Sequence, residues 1–193
     1  MSVVDRVRNI LVTPKTEWQL IAAEPATVGT IFKSYVLIVA LLPLIGALLG
    51  GLVLSGGLLI VPAIVAYAIG LAVLYVVALI ADALAPGFDG RKDSVSAMKL
   101  VGYAATPQWI AGFFSFIPGL NLILGLIGFA YAAYLLYLGS MATMRVPETK
   151  AAAYTIVLVV IWIVLGMFVA GAIIAAVTLS MLGGMAMGGP YAG

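Results

Sequence analysis

Asp82 and Lys99 are the only charged side chains expected well inside apolar helices. An ionisable group at membrane depth is costly, so such residues are usually paired or functional, and an ion or proton path is one reading. The other is local: both fall near helix ends, where they could snorkel or pair. An Asp in the last turn of a helix opposes the helix dipole and calls for a cation, with Lys99, Lys92 and Arg91 as candidates across a short loop. In KLVGYAATPQWIAGFF, Pro107 leaves the carbonyl of Tyr103 without its helical N–H, which predicts a kink. Thr106 and Gln108 stand where they could take up the freed groups, face another helix or line a polar site. Tyr131, Tyr134 and Tyr137 recur at i, i+3 and i+6, a stripe suited either to a polar path or to packing against small residues.

Much other chemistry is excluded. Without cysteine there is no disulfide, thiol nucleophile or thiolate metal site, and without histidine there is no imidazole acid, base or ligand. No glycine-rich phosphate loop or paired-carboxylate arrangement occurs, and Glu17 has no neighbouring acid or base to make it catalytic. A non-enzymatic protein with no cofactor and no metal site is expected. Met181, Met185 and Met187 could attract Cu(I), but in a glycine-rich tail an apolar or disordered end is the simpler reading.

The elements that must position these residues are membrane helices. Hydrophobic residues make up 65% of the 193-residue chain and charged residues 8%, against about 45–50% and about 25% in soluble domains. Uncharged runs from Ser34 to Ala81, Leu100 to Met144 and Ala151 onward each exceed the roughly 20 residues of a spanning helix. Gly56-Gly57 and Pro118-Gly119 divide the first two runs. Five crossings are predicted, near 33–54, 58–84, 96–117, 120–142 and 151–180, and Pro43 and Pro62 interrupt the first two. Gly46 and Gly50 form a GxxxG pair, and Gly125, Gly128 and Ala132 a second smooth stripe, for packing within the bundle or in a homo-oligomer.

All nine Lys and Arg residues lie in or beside the N-terminal segment, the second-to-third loop or the fourth-to-fifth loop, and the acids lie there too. By the positive-inside rule that face is cytoplasmic, with the amino terminus inside and the carboxyl terminus outside. No cleavable signal peptide is evident. The rule already explains the basic residues, so nucleic acid is not an expected partner; lipid and a cytoplasmic or membrane protein are.

Before the first crossing, Ser2 and Asp5 fit a capping pattern, and Val3, Val7, Ile10 and Leu11 oppose Asp5, Arg6, Arg8 and Asn9 on a helix suited to the headgroup layer. Thr13 and Pro14 can open a second helix that Glu24-Pro25 ends. On it Trp18, Ile21 and Ala22 share a face. Trp18 reads as an interfacial anchor or, with Glu17, as a protein-docking element.

With these residues in view, the chain resembles the bacterial membrane branch of the Yip1 domain family. LVTPKTEWQLIAAEP is similar to that branch's proline, aromatic and acid-proline turn before the first crossing, and GYAATP, Gly102 to Pro107, to the family's glycine-tyrosine-proline segment. The resemblance covers nearly the whole chain and implies five crossings with a cytoplasmic amino terminus. Eukaryotic relatives are linked to membrane traffic and lipidated GTPases. This chain lacks their long amino-terminal region with its aspartate-leucine-tyrosine-glycine-proline motif, so GTPase binding does not carry over. The expectation is therefore an all-α bacterial inner-membrane protein: an amphipathic segment over 1–30, a five-helix domain over 31–183 and a flexible outer tail over 184–193. It would act as an adaptor or organiser through Glu17, Trp18, Arg91 and Lys92. The alternative is a small permease or channel using Asp82, Lys99, Tyr103, Pro107, Gln108, Tyr131 and Tyr134.

Overall fold

A computed structural model describes the backbone of residues 1–55, 60–117 and 119–187, and the side chains of 1–52, 60–117 and 119–171. The turn at Gly56-Gly57, Pro118, and the side chains of Met181, Met185 and Met187 lie outside the described residues.

Every regular element among the described residues is helical. Two short helices, α1 (Val3–Val12) and α2 (Pro14–Ala23), form a hairpin. Ser2 caps α1 as its sequence predicts, its hydroxyl oxygen accepting from the Asp5 amide at 3.1 Å. Pro14 opens α2, but the Thr13 side chain does not cap it; that hydroxyl donates to the Asn9 carbonyl of the preceding helix. A first long segment follows as α3 (Val28–Ile31), a π-helical turn over Phe32–Val36, α4 (Leu37–Val39) and α5 (Leu41–Ser55). It breaks at Ala40, where Pro43 cannot supply the amide that the Val39 carbonyl would otherwise accept. Next come α6 (Ile60–Leu84) with a 3₁₀ turn at Ala85–Phe88, α7 (Ser94–Ala104), α8 (Thr106–Phe113) with a 3₁₀ turn at Phe114–Phe116, α9 (Leu120–Thr143) and α10 (Glu148–Met187). Pro62 is the third described residue of α6, and the helix runs on without interruption after it.

Four stretches among the described residues are long and apolar enough to cross a membrane: Val28–Leu52, Ile60–Phe88, Leu120–Thr143 and Glu148–Gly171. The predicted third crossing is instead two helices of 11 and 8 residues, so four candidate spans, not five, occur among the described residues. The break is the one expected at Pro107, and Thr106 takes up the freed group: its hydroxyl donates to the Tyr103 carbonyl at 2.7 Å and meets the Tyr35 hydroxyl at 2.7 Å. The pair still runs antiparallel along α9, because Leu100 lies against Gly139 and Pro107 with Ala111 against Gly128.

Glycine sets how closely these helices approach. A Cβ at Gly46 would overlap the Phe113 carbonyl, and one at Gly50 would touch Phe116. The GxxxG face of α5 is thus filled by α8 and its 3₁₀ turn, and is not free to pair with a second copy. Gly128 similarly lets α9 meet the Pro107 carbonyl, while Gly125 has open space around it.

Exposed apolar side chains include Ile38, Leu79, Tyr134 and Ile156 on the long helices and Val4, Val12 and Leu20 on the hairpin. Beyond Tyr134, α9 turns inward-facing, with Leu135, Leu136, Gly139, Ser140 and Thr143 all buried. The α1–α2 hairpin packs along this end of α9, from Tyr131 at the Leu11 carbonyl to Gly139 under the Trp18 ring.

Candidate functional site

The charged end is built by three segments that the sequence keeps far apart. Arg6 of α1 turns inward, with 7% exposure, and its guanidinium pairs with Glu17 at 2.5 Å and with Glu24. It also lies 5.6 Å from the centre of the Tyr103 ring, within cation–π range. Lys99 of α7 donates to the Glu24 carbonyl at 2.6 Å and more weakly to that of Ala22 at 3.5 Å, satisfying carbonyls left open at the end of α2. Arg6 thus joins α1 to Glu17 of α2 and to Glu24 within the hairpin, while Lys99 of α7 and the Tyr103 ring under Arg6 tie the hairpin to the bundle.

Trp18 completes the attachment. It is 1% exposed, edge-on to Tyr103 at 6.5 Å between ring centres, and its ring fills the space over Gly139 of α9. This corrects the reading of Trp18 as an interfacial anchor: the ring packs on protein because Gly139 leaves a hollow that no other residue type would leave. Glu17 is equally interior at 2% exposure. Arg6 was assigned to the solvated side of α1, and it faces inward because Glu17 offers a buried counter-charge.

The two loops at this end are stitched together. The Arg91 amide donates to the Met144 carbonyl at 2.7 Å, Lys150 pairs with Asp89 at 2.6 Å, and Gly90 sits so close to Val146 and the Met144 carbonyl that a Cβ would not fit. Asp93 caps α7, accepting from the amides of Val95 and Ser96 and the Ser96 hydroxyl, and pairs with Arg91 at 2.6 Å. Burial alone would raise the Asp93 pKa, but these hydrogen bonds outweigh it and hold the carboxyl below its ordinary value of 3.8. Asp93→Ala is expected to cost about 1 kcal/mol, read as faster hydrogen exchange at the start of α7, with Asp93→Asn retaining most of the cap. Because the folded-state pKa is the lower one, the charged contribution is complete above about pH 4 and is lost as the pH falls through that lowered value.

Comparison with known proteins gives the family. The Yip1 domain profile matches residues 8–170, from within α1 to near the end of the described side chains. The chain belongs to the Yip1 domain family. It is also 26% identical over 156 residues to the protein called "Inner membrane protein YohC" in two strains of Escherichia coli, covering 74% of this chain and 80% of each relative. No solved structure matches.

Within this Yip1 domain the polar residues of the helices do not converge. Asp82 and Lys99 were expected to be possible partners across the loop, yet Lys99 faces α2, Arg91 is held by Asp93, and no cation pairs with Asp82 among the described residues. Asp82 lies on α6 one residue from Ala81, whose carbonyl accepts from the Tyr154 hydroxyl at 2.7 Å. Tyr131 donates to the Leu11 carbonyl at 2.7 Å, capping the end of α1, and Tyr134 stacks obliquely beside it at 5.7 Å. These tyrosines border the hairpin. Gln108 lines a separate, mostly apolar cavity of ≈ 440 Å³ with Pro43, Tyr67, Trp109, Ser115 and Trp162. Lys92 is exposed beside Arg91 on the outer surface. The residues missed in the sequence are Glu24, Gly139 and Arg145; the only local signal was opposite charge on successive helices, which does not say which way the charges point.

Proposed function

We propose that this Yip1 domain is a non-enzymatic organiser or adaptor of the bacterial inner membrane, with its charged end in the cytoplasm and α7–α8 serving as a broken fifth crossing. The observation that carries the reading is the joining of hairpin and loops into one ordered charged face, with Arg91 and Lys92 on its outside and Arg6, Glu17 and Trp18 as its internal fastening. Clustering of Lys and Arg at that end supports its orientation, and the inner-membrane name of the relatives supports its location. A small permease has less support, since Asp82 and Lys99 diverge and the cavity that Gln108 lines is mostly apolar.

The test is photo-crosslinking in native membranes from position 92, with lipid-facing position 126 as control. A recurring cytoplasmic protein from position 92, lost on Arg91→Ala, is the expected result. Crosslinks to lipid alone would remove the adaptor reading, and a recurring partner from the outer compartment would reverse the orientation.

A further inference from the structure

The charged end carries a polar groove of ≈ 660 Å³, bounded by the end of α2, the Glu24–Ala26 link, the start of α7 and the residues that follow α9. We propose that it binds a phosphate-bearing anion, presented by a phospholipid headgroup or by a soluble phosphate ester. Three cations reach it from three separate elements: Lys99 from α7, Arg91 from the loop before it, and Arg145 from the turn after α9. Convergence from several sides suits the tetrahedral oxygens of a phosphate better than the single plane of a carboxylate, which one guanidinium fork satisfies.

Two carboxylates also line the groove, and both are committed elsewhere. Glu24 is held by Arg6, and Asp93 by the α7 cap, the Ser96 hydroxyl and Arg91. Arg91 is taken up by Asp93, but the other two cations are less fully used. Lys99, only 6% exposed, spends its ammonium on one short and one long bond to carbonyls, which leaves a third donor. Arg145 makes no ion pair or side-chain hydrogen bond among the described residues.

The backbone at Arg145 is the independent observation. Its φ is +56°, in the left-handed region, where the turn after α9 closes with the Val146 amide on the Ser140 carbonyl at 3.2 Å. Glycine is the usual residue at such a helix end, and a side chain there costs about 1 kcal/mol. The turn therefore bears a penalty that places an unpaired guanidinium at the groove, the kind of outlier from which a functional role is properly inferred.

Arg91 lines this groove and also belongs to the proposed partner surface, so the two readings are separated at Arg145, which lines the groove, and at Lys92, which does not. The test is native mass spectrometry of the full chain in detergent micelles, titrated with phosphatidylglycerol, phosphatidylcholine and glycerol 3-phosphate. The informative variant is Arg145→Gly, which relieves the left-handed strain while removing the guanidinium; a thermal stability equal to or above that of the wild type confirms that it folds. Phosphatidylglycerol or glycerol 3-phosphate is expected to bind the wild type more tightly than phosphatidylcholine does, and Arg145→Gly to weaken that binding about tenfold or more. Binding of phosphatidylglycerol alone identifies a headgroup site, and binding of the ester a site for soluble phosphates. No binding by either, equal binding of phosphatidylcholine, or full affinity in Arg145→Gly would each overturn the proposal.

Discussion

Replacing Arg6 by methionine is expected to open the α1–α2 hairpin and loosen its seat on the bundle. Its guanidinium is nearly buried and faces Glu17, which is 2% exposed, so removal of Arg6 strands a carboxylate in the interior. Breaking a buried pair from one side costs about 3–5 kcal/mol, because the charge left behind has neither water nor a counter-ion. Glu24 adds less to this figure, its side chain being 49% exposed and able to hydrate. The hairpin rests on one side of α9, so the loss should appear as local opening before global unfolding. Amide protection over residues 3–23 is expected to fall about a hundredfold to a thousandfold, with faster tryptic cleavage at the exposed Lys15. The double variant Arg6→Met with Glu17→Met removes both charges and should recover most of the protection. A single variant that exchanges as slowly as the wild type would show that the ion pair does not fasten the hairpin.

The second large effect is expected at Gly139. A methyl group there would sit 2.7 Å from the Trp18 ring and 2.7 Å from Leu100, both closer than real contacts allow. Trp18 and Leu100 are almost wholly enclosed, so neither can move aside without displacing α2 or α7. Gly139→Ala would gain about 1 kcal/mol of helix propensity, but overpacking a closed site costs about 1–3 kcal/mol, and the larger substitution Gly139→Leu more still. Overpacking therefore decides the sign. Trp18→Ala should cost about 3–5 kcal/mol by the opposite route, an unfilled cavity over Gly139. Trp18→Phe removes the outer ring and also an indole N–H that finds no partner among the described residues. Phe at position 18 should therefore partly rescue Gly139→Ala in a denaturation series. Additive, independent effects of the two substitutions would show that ring and glycine do not meet.

These two predictions rest on contacts that lie at different depths of legibility. The cap at Ser2, the helix start at Pro14 and the break before Pro107 are each decided within a few residues, because they depend on which backbone amides are missing and which nearby oxygen can serve. The roles of Trp18, Glu17 and Lys99 were not legible in this way. An aromatic ring beside membrane segments is equally at home in the lipid interface or in a protein hollow, and local spacing reports only that the ring lies on an apolar face. The hollow is made by Gly139, which in its own helix reads merely as one more small residue. Lys99 was weighed against the acid across the nearest loop, yet its acceptor is a main-chain carbonyl 75 residues earlier in the chain. Every residue carries such a carbonyl, so no pattern of side chains marks it.

Composition by itself determined that this chain is helical and bound to a membrane, since hydrophobic runs of that length can satisfy their backbone groups in lipid only as helices. The placement of every Lys and Arg in three segments determined that one end of the bundle would be charged. Tertiary structure decided what that charge does. It turned Arg6, Glu17 and Lys99 inward as a fastening, left Lys92 on the surface, and set Arg145 at the rim of a groove. Periodicity states which residues share a helix face; which neighbour that face meets depends on how glycines, prolines and buried charges let distant helices approach, and that is settled only when the helices pack.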